Sequence, residues 1–223
     1  MRVRGLIGVV HLPPMPGDPR HDGQTSFDQV MDRAHSDAEA LARGGVDALL
    51  LENYGSTPFA KAETPPHQLA VLCCCARRCV ETLGLPVGIN CLRNDARSAM
   101  GIASAVGADF VRINVHTGAY VTDQGLIEGQ AHHTLRYRQQ LGATRVAILA
   151  DILVKHATPL APLDEGAAAR DCIERGLADA LIVTGPATGQ PVDRGRLERV
   201  QRACGSHPLF VGSGLTVESA PLL

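Results

Sequence analysis

Polar and ionisable side chains recur where the apolar runs of this chain end, and packing alone gives no reason for them there. In order they are His11; Glu52 and Asn53; Asn90, Arg93 and Asn94; Arg112, Asn114 and His116; Asp151, Lys155 and His156. Burying unpaired charge is costly, so their recurrence points to one shared polar mouth. His11, Glu52, Asp151 and Lys155 carry catalytic chemistry: an imidazole and two carboxylates move protons, and an amine forms an imine, moves a proton or steadies an anion. Asn53, Asn90, Arg93, Asn94, Arg112, Asn114, His116 and His156 suit the binding of an oxygen-rich substrate. In ILADILVKH, Asp151, Leu153 and Lys155 alternate with the strand period, which predicts Asp151 and Lys155 on one side. The structural alternative is an ion pair or a polar layer that satisfies only itself.

Two glycine-bearing turns add a second chemistry. Gly212, Ser213 and Gly214 end one apolar run, and Thr216–Val217 is expected to open a helix after them. Backbone N–H groups of such a turn, with a helix N-terminus behind, make a phosphate cradle. Thr184 and Gly185 end the preceding run and are expected on the same rim. Glycine-rich turns also simply end strands. His116 and His156 could join Glu52 or Asp151 around a metal, but the spacing matches no compact motif, so no metal or cofactor is expected.

The elements that must position these residues alternate between strand and helix. Expected strands are 6–12, 46–55, 85–92, 108–118, 144–156, 178–185 and 207–215, with helices near 26–43, 66–83, 95–106, 130–141, 164–175 and 193–203 between them. Ser26 and Gln29 have capping-box spacing before the first helix. A phrase ending in Asp precedes three runs, at Asp47, Asp109 and Asp179, and marks a repeated helix-to-strand corner. The spacing argues for a parallel sheet with crossover helices, a TIM (β/α)8-type barrel, as one domain over 1–223. A dinucleotide-binding sheet is excluded, because the first strand ends in His11-Leu12-Pro13-Pro14 rather than a GxGxxG turn. An eighth strand and last helix are missing from the expected set, which suggests truncation of a longer parent.

Composition narrows the classes further. The 223 residues carry a net charge of −2 and only 3% aromatics, a poor basis for nucleic-acid binding. Hydrophobic residues make up 45%, enough for a full core. The opening MRVRGLIGVVHLPPMPG lacks a signal cleavage site and reads as a first strand. No run reaches the roughly 18 apolar residues of a membrane span. The 7 cysteines include no CxxC pair, and Cys73, Cys74, Cys75 and Cys79 share one predicted helix. Adjacent helical residues diverge, so these are read as small apolar side chains in a reducing cytoplasm.

The ordered segments HLPPMPGDP, VDALLLEN, GINCLRND, ADFVRINVHTG, ADILVKHA, IVTGPATG and VGSGLT resemble the BtpA (BtpA/SgcQ) family over nearly the whole chain. The resemblance implies a barrel of the ribulose-phosphate-binding kind, whose members continue past GSGLT. It brings little chemistry. Three readings follow. One is an enzyme, an isomerase, lyase or glycosidic hydrolase, on a small phosphorylated sugar-like or nucleoside-like substrate. Another is a non-catalytic assembly factor, as in photosystem I biogenesis. The third is a metal-dependent hydrolase. A homo-oligomer without nucleic acid is expected.

Overall fold

The computed structural model describes residues 3–61 and 63–220. Met1 and Arg2, at the head of the segment read as a first strand, lie outside them. Two compact units share the chain: Met1–Arg112 with His133–Ala147, and Ile113–His132 with Ile148–Leu223.

In the first unit β1 (Ile7–His11), β2 (Ala48–Glu52), β3 (Val87–Asn90) and β4 (Phe110–Ile113, its last residue counted with the second unit) form a parallel ladder in chain order. Helices α1 (Phe27–Arg43), α2 (Pro66–Thr82) and α3 (Ala96–Val106) are the crossovers, and α4 (Ala131–Gln140) follows later. Strand β2 is buried at every position, as expected of a strand covered on both faces. The capping box forms as the spacing requires: Gln29 N–H donates to Ser26 Oγ at 3.2 Å and Ser26 N–H to Gln29 Oε1 at 2.8 Å. Asp95 caps α3 by accepting from Ser98 N–H at 3.0 Å.

The repeated aspartate has a structural explanation. Asp47 Oδ2 accepts from Leu6 N–H at 2.7 Å, Asp109 Oδ2 from Val87 N–H at 3.1 Å, and Asp179 Oδ2, in the second unit, from Ile148 N–H at 2.8 Å. Each carboxylate, standing just before a strand, ties down the start of the neighbouring strand. The phrase is therefore a clamp at the strand N-termini, opposite to the ends where the candidate site residues stand.

The second unit holds a parallel ladder of β7 (Ala147–Ile152, its first residue counted with the first unit), β9 (Ala180–Thr184) and β10 (Leu209–Gly212). It also holds a small antiparallel sheet in the order β6 (Gly125–Glu128), β5 (Ala119–Thr122), β8 (Ala157–Pro159). Helix α5 (Glu165–Arg170) runs into a π-helical turn at Asp171–Arg175, and α6 is Arg194–Cys204. Glu165 at the start of α5 accepts from Arg196 at 2.9 Å and Arg199 at 2.6 Å, which ties α5 to α6.

Three expectations need correction. Residues 108–118 are not one strand: β4 stops at Ile113, and β5–β6 is a hairpin where a loop was expected. Residues 144–156 are not one strand either. β7 ends at Ile152, and Leu153 and His156 take positive φ of 54° and 56°, because the chain must reverse to form β8 against β5. The alternation therefore breaks before Lys155, and the shared side of Asp151 and Lys155 does not follow. Last, Thr216–Ala220 is a single hydrogen-bonded turn, with Ala220 N–H on Thr216 O at 2.9 Å; any continuation lies outside the described residues.

Candidate functional site

The ladder of the first unit builds one row of polar side chains at its C-terminal end. His11 is the register partner of Glu52, and Glu52 that of Asn90. One step beyond the Ile89–Val111 pair, the same register sets Arg112 beside Asn90. Register partners in a parallel sheet project to the same face, so these residues meet. His11 Nε2 lies 3.1 Å from Glu52 Oε1, and Asn90 Nδ2 donates to Glu52 Oε2 at 2.9 Å.

Both oxygens of Glu52 are thus engaged, and the residue is 5% exposed. Burial pushes its carboxyl up. The His11 hydrogen bond, the charge of Arg112 and the Asn90 hydrogen bond outweigh burial and hold it below its usual range. Glu52 is therefore an anion at neutral pH. The His11 side chain, in contrast, is 49% exposed. With Nε2–H turned to the carboxylate, the neutral ring offers Nδ1 as a proton acceptor. Tyr54 stacks on the imidazole with centroids 4.5 Å apart and planes 25° apart, and Phe59 lies 6.3 Å from Tyr54.

Asn53, Arg93 and Asn94 stand in the segments that follow β2 and β3. The Asn53 amide holds the loops: Nδ2 donates to Gln68 Oε1 at 3.1 Å and Leu92 O at 3.0 Å, and Oδ1 accepts from Leu92 N–H at 2.7 Å. Arg93 is buried and its N–H bonds Ala60 O at 3.3 Å. Asn94 sits in the turn before α3 with φ 64°. The network continues to residues that sequence reasoning missed. Asp18 accepts from Gln68 Nε2 at 2.6 Å, Ser56 Oγ at 2.7 Å and Met15 N–H at 2.7 Å, which pins the proline-rich loop after β1. Gln68 left a signal, since it begins the buried stripe continued by Leu72, Cys75 and Cys79.

In the second unit Asn114 Nδ2 donates to Asp151 Oδ2 at 3.0 Å, with both residues buried. Tyr120, on the unforeseen hairpin, is buried too. Desolvation pushes its hydroxyl up against a hydrogen bond from the Leu153 backbone, and the nearby Cys172 and Asp151 raise it further. His116 Nε2 lies 2.7 Å from Gly176 O, a contact that anchors the segment after β4 to the end of the π-helical turn. His156 is exposed and bonds Thr188 Oγ1 at 3.1 Å, and Lys155 is half-buried in the turn before it.

Thr184 ends β9 fully buried. Gly185 and Gly214 owe their type to packing: a Cβ on either would stand 2.2 Å from Gln190 O. The backbone of the 185–191 loop thus lies against the 212–214 turn, and Gly189 N–H donates to Ser213 Oγ at 2.9 Å. Ser213 and Gly214 both have positive φ, 75° and 68°. Among the described residues no group of three or more His, Cys, Asp or Glu is arranged to hold a metal, and no helix is long and apolar enough to cross a membrane.

Parallel ladders with crossover helices and polar residues at the strand ends define a protein of the TIM-barrel class. Solved structures agree on the fold. A 7,8-dihydropteroate synthase from Vibrio fischeri ES114 matches 95% of this chain and 74% of its own at TM-score 0.58 and 18% identity. A 2,3-dimethylmalate lyase matches 97% and 71% at TM-score 0.57 and 12% identity. The chain belongs to the BtpA family, whose sequence pattern matches residues 2–221. It is 49% identical over 209 residues to the Photosystem I biogenesis protein BtpA of Synechocystis sp., covering 94% of this chain and 72% of that protein.

Proposed function

We propose that this protein is an enzyme that acts by acid–base chemistry on a small substrate, a phosphorylated sugar-like or nucleoside-like molecule. The observation that carries this reading is the His11–Glu52 pair at 3.1 Å, with a buried anionic carboxylate and a half-exposed imidazole. Glu52 orients the ring. His11 takes a proton from the substrate or returns one, and Arg112 offsets the negative charge of Glu52. The ring of Tyr54 on His11, with Phe59 beside Tyr54, favours a substrate with a flat or cyclic part. In the second unit, taken by itself, the Ser213–Gly214 turn offers backbone N–H groups suited to a phosphate. Seven free cysteines fit the reducing cytoplasm that this reading places it in.

The test is turnover across a panel of phosphorylated sugars and nucleosides, comparing the natural protein with His11→Asn and Glu52→Gln. Loss of at least about 100-fold in both, with folding intact, is the expected outcome. Turnover that survives both substitutions, or none on any panel member, overturns the reading. A second reading rests on the 49% identity to a photosystem I biogenesis protein: an assembly factor. Complementation by His11→Asn in a strain lacking the relative would favour it.

A further inference from the structure

We infer that Asp151, Asn114 and Thr184 form a binding site for a ligand group rich in hydrogen-bond donors, the hydroxyls of a polyol or an ammonium. The inference goes beyond the enzyme reading and stands on the second unit alone.

Asn114 donates its Nδ2 to Asp151 Oδ2 at 3.0 Å. Turning the amide over would set oxygen against oxygen, so the carboxylate fixes which way the side chain points. Asn114 Oδ1 is then presented as an acceptor; it is buried and has no hydrogen-bond partner among the described residues. Thr184 Oγ1 is in the same condition, and its residue is 0% exposed. Buried polar atoms in folded proteins are nearly always bonded, so each such atom asks for an explanation.

Strand register puts Asp151 and Thr184 on one face, and Asn114 joins them through its hydrogen bond to Asp151. Asp151 on β7 is the partner of Ile182 on β9, and Thr184 stands two residues on from Ile182. Asp151 and Thr184 therefore share a side, with Cα atoms about 8 Å apart from ordinary strand spacings. The partner of Thr184 on β10 is Gly212, which has no side chain to lay over the hydroxyl and is itself partly exposed. A ligand that extends along the row from the Gly212 side would meet Thr184 first, then Asp151 with its partner Asn114.

The chemistry of the three groups selects the ligand. A carboxylate and an amide oxygen only accept, and the hydroxyl does both. Such a set repels a phosphate and attracts O–H or N–H donors. Thr184 is thereby reassigned from the phosphate rim to the donor-binding site.

The test is a titration of the full chain, followed by NMR of the Asn114 side-chain amide and the Thr184 methyl. Ribitol, ethanolamine and inorganic phosphate are the probes. Saturable shifts with ribitol or ethanolamine, and none with phosphate, are expected; which of the two binds separates a polyol from an amine. Thr184→Val, which keeps the shape and removes only the hydroxyl, should weaken that binding at least tenfold. The same substitution should raise the thermal midpoint of the free protein, because it deletes a buried hydroxyl without a partner. A hydroxyl serving the fold would lower it. Absence of saturable shifts, shifts with phosphate alone, or unchanged affinity in Thr184→Val overturns the inference. The readout is binding, so failure of the turnover test leaves it standing, and the reverse holds too.

Discussion

His11 and Glu52 are direct register partners at the C-terminal ends of β1 and β2, and Nε2 stands 3.1 Å from Oε1. The pair is asymmetric: the carboxylate is buried and hydrogen-bonded on both oxygens, while half of the imidazole meets solvent. That asymmetry has a consequence for acid stability. The Glu52 carboxyl is held below its ordinary value of 4.5 in the folded protein. A depressed carboxylate stabilises the fold fully above its unfolded value, and the contribution is lost as pH falls through the folded one. The urea midpoint should therefore drop more steeply below about pH 4.5 in the natural protein than in Glu52→Gln. Parallel curves across that window would show that Glu52 is not held ionised.

Tyr54 stacks on His11 while remaining 38% exposed. Such a ring contact contributes about 0.5–1.5 kcal/mol beyond area burial, and the low end applies at an exposed site. A double-mutant cycle of His11→Ala and Tyr54→Ala should give a coupling of about 0.5 kcal/mol in urea unfolding. A coupling near zero would mean that the stack contributes nothing to holding the imidazole.

Asp18 is the hub of the loop network after β1. Its carboxylate accepts from Met15 N–H, Ser56 Oγ and Gln68 Nε2, all at 2.6–2.7 Å. Asp18→Ala leaves those buried donors without an acceptor and should lower stability by about 3–5 kcal/mol. Asp18→Asn keeps one oxygen and should lose clearly less. The comparison is read from urea midpoints of the two variants; equal losses would contradict the network.

Much of this arrangement was legible beforehand, and the failures have physical causes. The apolar runs ending at Glu52, Asn90 and Thr184 mark true strand ends, because a strand buried on both faces tolerates polar residues best at its tip; the run ending at His11 marks one too, on a strand with one exposed side. Ser26 and Gln29 announced their capping box through local chemistry alone. That His11, Glu52 and Asn90 form one row could not be read locally, since register is set by pairing between strands far apart in sequence. The hairpin carrying Tyr120 was missed because its strands, at four residues each, are too short for a period to show. The strand expected through Lys155, because ILADILVKH alternates as a strand would, ends early, since the positive φ at Leu153 is imposed by the return to β8.

The 185–191 loop offers a prediction in which two glycines look alike in sequence and differ in space. A Cβ at Gly185 would stand 2.2 Å from Gln190 O and 2.8 Å from Pro191 O. Both are backbone atoms and cannot swing aside, so Gly185→Ala must force the two ends of the loop apart. Gly189 has nothing within 4 Å of such a Cβ, and only its φ of 79° resists a side chain. Gly185→Ala should therefore lose about 1–3 kcal/mol by overpacking and open the loop to protease, with cleavage in 186–191. Gly189→Ala should lose about 1 kcal/mol from backbone strain and stay protected. Limited proteolysis of the two variants side by side decides it. Equal protection would mean that the loop does not need a bare Cα at Gly185, and the phosphate contact would then again be the reason for that glycine.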